Sequence, residues 1–119
     1  MIPQVVISEH RIDNTSLSCD YHQDIKSYAR CKVTDAFVSD EWGAFEYLVH
    51  KESSWRPEAQ NPKSTAYGLM QFLDSTWATV GCEKTSDPKK QIDCGIDYII
   101  DRYGTPTKAK VFHNQNNWY

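Results

Sequence analysis

Glu41-Trp42-Gly43-Ala44-Phe45-Glu46-Tyr47-Leu48-Val49-His50-Lys51-Glu52 is the stretch from which the fold can be read. Trp42, Phe45, Leu48 and Val49 recur at three- and four-residue spacing, the apolar stripe of an amphipathic helix. Ser39 or Asp40 can cap it, and Asp40 and Glu41 suit its positive end. Pro57 forbids continuation much beyond Trp55. Glu52 breaks the pattern: it follows Leu48 by four and Val49 by three, so it points along the core face. A carboxyl pressed into apolar surroundings has its charged form disfavoured and its pKa raised. A Glu still protonated near neutrality is a general acid, the group that protonates a leaving glycosidic oxygen. The alternatives are a helix that frays at Lys51, or a Glu52 that caps nearby backbone. Glu46, on the flank of the stripe, reads as a solvated helix charge, as do Asp93 and Asp97.

Outward from this helix, the chain reads as mostly helical. Tyr21 to Lys32 is expected to form a helix with Ile25, Tyr28 and Ala29 on one face. Residues 56–68 are loop-like and have room for a small hairpin. Asp74 or Ser75 caps a short helix to Val80, stopped by Gly81. Asp87-Pro88 opens a longer helix with Ile92, Ile96, Ile99 and Tyr103 inward, ended by Gly104. Thr105-Pro106 opens a last short helix through Ala109 and Phe112. Val5-Val6-Ile7 is a possible short strand, and Asn14-Thr15-Ser16 matches a glycosylation sequon. The fold class is therefore mainly α, a small helical domain with a loop-rich or short-hairpin middle.

At 119 residues the chain has the size of one domain. Its net charge of −3 argues against a coat for nucleic acid or an acidic membrane, both of which need a dominant basic field. No apolar run approaches the roughly 20 residues of a membrane span. Val5-Val6-Ile7 also falls short of the about 7–15 apolar residues of a secretory signal. An exported form would thus use another route or have lost its leader. The four cysteines, Cys19, Cys31, Cys82 and Cys94, repeat one spacing in two pairs. Neither pair is Cys-x-x-Cys, and the four His (His10, His22, His50, His113) are scattered, so no zinc or other metal is expected. Of three possible connectivities the local one, Cys19–Cys31 with Cys82–Cys94, is favoured over four reduced thiols. Disulfides imply a site outside the cytosol.

The loop after Glu52 interleaves Ser53, Ser54, Asn61, Ser64 and Gln71 with Trp55, Tyr67, Phe72 and Trp77. Hydroxyls and amides among aromatic faces suit carbohydrate, which offers hydroxyl edges and C–H faces. The bland alternative is that these rings are core. Glu52-Ser53-Ser54-Trp55-Arg56-Pro57-Glu58-Ala59, Asn61-Pro62-Lys63-Ser64 and Ala66-Tyr67-Gly68-Leu69-Met70-Gln71-Phe72 resemble the signature of the soluble lytic transglycosylases. That family stands with goose-type lysozyme in the lysozyme-like superfamily. The resemblance covers about residues 41–119, which makes 41–119 the lysozyme-like domain and 1–40 an N-terminal extension packed on it.

The resemblance implies that Glu52 protonates the bridging oxygen between N-acetylmuramic acid and N-acetylglucosamine in peptidoglycan. It implies substrate contacts from Gln71 and from Asn61, which stands where the family often has Ser, with Ser64 as a rival. Tyr67 joins them as an aromatic of the same loop. Gly68 is expected to permit a close approach or a positive φ. Many members carry Ala-Tyr-Asn-Ala-Gly near the C-terminus. Here Phe112-His113-Asn114-Gln115-Asn116 replaces the Tyr with His113 and keeps Asn114, and both are counted as substrate contacts. Asn117-Trp118-Tyr119 resembles the Gly-Trp-Tyr ending of small relatives.

An ordinary glycosidase needs two carboxylates. The sequence offers one, with Asp74 as the best second, although helix capping explains Asp74 equally well. The expectation is accordingly a lytic transglycosylase giving 1,6-anhydro products. The alternatives are a hydrolytic lysozyme of the same fold or a non-catalytic glycan-binding module. The expected partners are peptidoglycan glycan strands, met by a monomer without a cofactor, without nucleic acid and without membrane insertion. The site of action is secreted, periplasmic or virion-associated. The acidic balance gives no steering toward an anionic wall, which fits a local cutter better than a bulk killing agent.

Overall fold

The structure, a computed structural model, describes residues 19–119. The possible strand at Val5-Val6-Ile7, the sequon at Asn14 and residues 1–18 of the 1–40 extension lie outside the described residues. Among the described residues five helices follow in order: α1 Ile25–Ala36, α2 Trp42–Ser53, α3 Asp74–Val80, α4 Pro88–Arg102 and α5 Pro106–Asn116.

Three of these starts, those of α1, α4 and α5, carry a side-chain cap. Asp24 caps α1 by accepting from the Ser27 amide, so the helix begins later than Tyr21 and runs past Lys32. Asp87 accepts from the Lys89 and Lys90 amides, with Pro88 in the first position. Thr105 accepts from the Lys108 amide ahead of α5, which is longer than the short helix expected.

α2 packs on α5, and α1 packs on α4. The core is made of Phe45, Leu48 and Val49 from α2, Leu69, Met70 and Phe72 from the loop, Trp77 from α3, and Ile92, Ile96 and Ile99 from α4. Each such side chain contributes about 1.5–3 kcal/mol when fully buried. From α1, Tyr28, Ala29 and Val33 are buried, and the Tyr28 hydroxyl donates to Asp93 at 2.8 Å. Asp93 also faces Lys32 at 3.6 Å, whereas Asp97 is exposed. Glu46 pairs with Lys26 at 3.7 Å near the surface.

Glu41 does more than precede a helix. It is buried, and its carboxylate accepts from the Thr107 amide (2.8 Å), the Thr107 hydroxyl (2.7 Å) and the Ser39 hydroxyl (2.7 Å). Burial alone would raise its pKa; the hydrogen bonds from Ser39 and Thr107 together outweigh that and hold it below the ordinary value. The start of α2 is thereby tied to the start of α5.

The middle segment is less regular than a hairpin. Its pairing is reduced to isolated bridges, Gln60 with Tyr67 and Tyr67 with Phe72. Both disulfides take the local pairing, Cys19–Cys31 and Cys82–Cys94. Cys19, Cys31 and Asp35 come within ligand spacing of one another, but sulfurs joined in a disulfide offer no thiolate to a metal. Among the described residues no helix is long and apolar enough to cross a membrane.

Candidate active site

Glu52 sits in the last turn of α2, directly after its buried stripe, with its side chain 18% exposed. Ser54 and Trp55 follow with φ of 52° and 61°, two successive non-glycine residues in the left-handed region. Each costs on the order of 1–2 kcal/mol, so strain is concentrated immediately after the acid. The turn sends the Trp55 ring against Trp42, with centroids 6.0 Å apart, and Arg56 Nε back to the Ser53 carbonyl at 3.1 Å.

The partner of Glu52 comes from α5. His113 Nε2 lies 3.0 Å from Glu52 Oε2, and the ring is buried. Tyr47 meets it edge-on at 6.4 Å and Tyr119 at 6.2 Å, which fixes its plane. Burial pushes the Glu52 carboxyl up from its ordinary value; the His113 ring pulls it back by charge and hydrogen bond, and the net direction is up.

Glu52 lines a cavity of about 270 Å³. Gln71, Leu73, Thr76 and Trp118 line it together with Met70, Phe72, Tyr98 and Tyr119. The Tyr119 hydroxyl donates to the Met70 carbonyl at 3.0 Å. Burial, and then the nearby Glu52 carboxylate, hold that phenol well above its ordinary pKa. Among the described residues no second Asp or Glu lines the cavity. Asp74 is exposed and pairs with Lys84 at 3.0 Å. A separate cavity of about 370 Å³ between α1 and α4, with Lys32, Asp35, Asp93 and Asp97 in its lining, holds no residue of the Glu52–Phe72 segment.

A buried amide fixes the loop that helps to line the Glu52 cavity. Gln91 on α4 accepts from the Leu69 amide at 2.9 Å and donates to the carbonyls of Pro57 (2.9 Å) and Thr85 (2.7 Å). Gly68, at φ 87°, lies so close that a Cβ there would fall 2.7 Å from Gln91 Nε2. Gly95 is needed in the same way: a Cβ would meet Met70 Sδ at 2.8 Å. Gln71, itself at φ 54°, donates to the carbonyls of Ala59 (2.9 Å) and Gly68 (3.0 Å).

Of the residues expected at the site, Glu52 and Gln71 share the cavity, and His113 touches Glu52. The others stand apart from that cavity. Asn61 accepts from the Lys63 amide at 2.8 Å and Ser64 from the Ala66 amide at 3.2 Å, on an exposed turn. Tyr67 shares a hydrogen bond with Ser86, and Lys84 lies over its ring. Asn114 accepts from the Tyr47 hydroxyl at 2.8 Å. Sequence reasoning missed Gln91, although Gln91, Gly95 and Ile99 repeat at four-residue spacing on the buried face, the same signal that singled out Glu52.

A small helical domain that brings a largely buried carboxyl at a helix end into a cavity is the arrangement expected of the lysozyme-like superfamily. The family model of the transglycosylase SLT domain matches residues 38–117, and the chain belongs to that family. No curated protein and no solved structure accompanies it as a match. Membership makes this a peptidoglycan transglycosylase in the general sense, with the glycan strand as the class of substrate.

Proposed function

We propose that the protein is a lytic transglycosylase that cuts the β-1,4 bond between N-acetylmuramic acid and N-acetylglucosamine, with Glu52 as its one catalytic carboxyl. The observation that carries this reading is a raised-pKa Glu in a cavity lined by no other carboxylate among the described residues. Glu52 gives its proton to the bridging oxygen as the bond from that oxygen to muramyl C1 breaks. The muramyl C6 hydroxyl oxygen then bonds to C1, and its proton returns to the Glu52 carboxylate. No water is consumed, and the product is a 1,6-anhydro end. His113 keeps the carboxyl oriented and stabilises its charged form between the two proton transfers. The two disulfides suit an oxidising compartment, so the site of action is outside the cytosol: secreted, periplasmic or virion-associated.

The test is digestion of purified peptidoglycan by the wild type and by Glu52→Gln, with mass spectrometry of the soluble fragments. Muropeptides lighter by one water, and lost in the variant, are expected. Ordinary reducing ends would replace this proposal with hydrolysis. Equal fragments from both proteins, or none from either, would remove Glu52 from its role.

A further inference from the structure

α5 ends in a way that sorts its last side chains. Asn117 takes a left-handed φ of 65° and returns its amide to the His113 carbonyl. Beyond that turn, Tyr119 goes inward to Met70, while Trp118 stays 53% exposed along the wall of the Glu52 cavity. A Trp this exposed is not doing the work of a core residue. The neighbouring rings of Tyr98, Tyr103 and Tyr119 pack among themselves without it.

From this placement we infer that Trp118 is a sugar platform, against which one N-acetylhexosamine ring of the glycan stacks beside Glu52. The inference rests on the glycan-cleaving function proposed above and names a subsite within it. The ring is held ready. Phe112 packs perpendicular to it with centroids 4.9 Å apart, and the Arg102 guanidinium lies 5.4 Å from its centre. Arg102 is fixed in turn by donating from Nε to the Tyr103 hydroxyl at 3.0 Å. A platform fixed before the ligand arrives loses little side-chain freedom on binding.

The rest of the lining suits the same occupant. Leu73 is 44% exposed and offers an apolar surface, while Gln71 and Thr76 offer polar groups to the same cavity. A pyranose has these two characters, C–H faces and hydroxyl edges. The cavity of about 270 Å³ is a little under the range of about 300–1,000 Å³ that houses drug-sized ligands, the scale of a single sugar ring.

The experiment uses the full chain carrying Glu52→Gln, which stops turnover. A peptide-free tetrasaccharide of alternating N-acetylglucosamine and N-acetylmuramic acid is titrated into it by calorimetry. Adding Trp118→Ala or Trp118→Leu is expected to weaken binding about tenfold, whereas Trp118→Tyr stays within about threefold of the parent. Trp118→Leu keeps apolar packing against Phe112, so its loss reports the aromatic face and not a loosened terminus. Binding by Trp118→Leu as tight as by the parent overturns the platform alone. A parent that itself fails to bind overturns the proposed function together with the platform.

Discussion

Replacing Gly68 with Ala tests how the cavity wall is held, and the cost can be worked out from the geometry. The φ of 87° at that position costs an L-residue about 1–2 kcal/mol. The new Cβ would stand 2.7 Å from Gln91 Nε2 and 2.9 Å from its Cδ, so the amide must move. That nitrogen is the donor to both Pro57 and Thr85. Breaking one or both of these buried hydrogen bonds adds about 2–4 kcal/mol. Gly68→Ala should therefore cost about 3–6 kcal/mol of a stability that is about 5–15 kcal/mol for ordinary domains. Gln91→Ala removes the obstacle. In that background the same substitution should cost only the backbone share, about 1–2 kcal/mol. Urea unfolding of the four proteins at pH 7 with the disulfides intact, followed by tryptophan fluorescence, closes the double-mutant cycle. Costs that agree in the two backgrounds within about 0.5 kcal/mol would refute the clasp between Gly68 and Gln91.

Three further outcomes follow from the same geometry. Glu52 has a raised folded pKa, so the stability it contributes is complete below its unfolded pKa and is lost as pH rises through the folded one. Glu52→Gln should then be the more stable protein at pH 7, on the order of 1 kcal/mol, with the advantage shrinking toward pH 3; thermal melts across pH that show the reverse would contradict it. His113→Phe removes the partner that lowers the Glu52 pKa, so the alkaline fall of the activity profile should move to higher pH. An unmoved or lowered limb in kcat/KM against pH would count against the pair. The two disulfides close loops of the same sequence separation, 12, so removing either with paired Ala substitutions should cost about 3 kcal/mol in chemical unfolding. Only Cys82→Ala/Cys94→Ala should also depress turnover at a temperature where both variants remain folded, because Thr85 in that loop holds Gln91.

Much of this was legible in the sequence, and for identifiable reasons. Asp87-Pro88 and Thr105-Pro106 are local signals that do not depend on the rest of the fold, and the helices begin where these residues put them. The stripe of α2 revealed Glu52 because a charge on an apolar face is a local contradiction. Contacts made across the fold were not legible. Nothing in residues 41 or 107 alone says that the Glu41 carboxylate will cap α5. Of the loop-rich and short-hairpin alternatives for the middle segment the loop-rich one holds, because its amides bond side chains, Leu69 to Gln91 and Ala66 to Ser64. Leu73, Trp118 and Tyr119 join the cavity only because the turn of α5 at Asn117 brings distant stretches together.

The sequence separation of 61 from Glu52 to His113 also bears on timing. Translation delivers about 5–20 residues per second, so Glu52 leaves the ribosome several seconds before its ring partner. During that interval the carboxyl is an ordinary solvated one, with no His113 beside it and no Tyr119 behind it. The proposed cutting site is therefore assembled only once α5 has docked on α2.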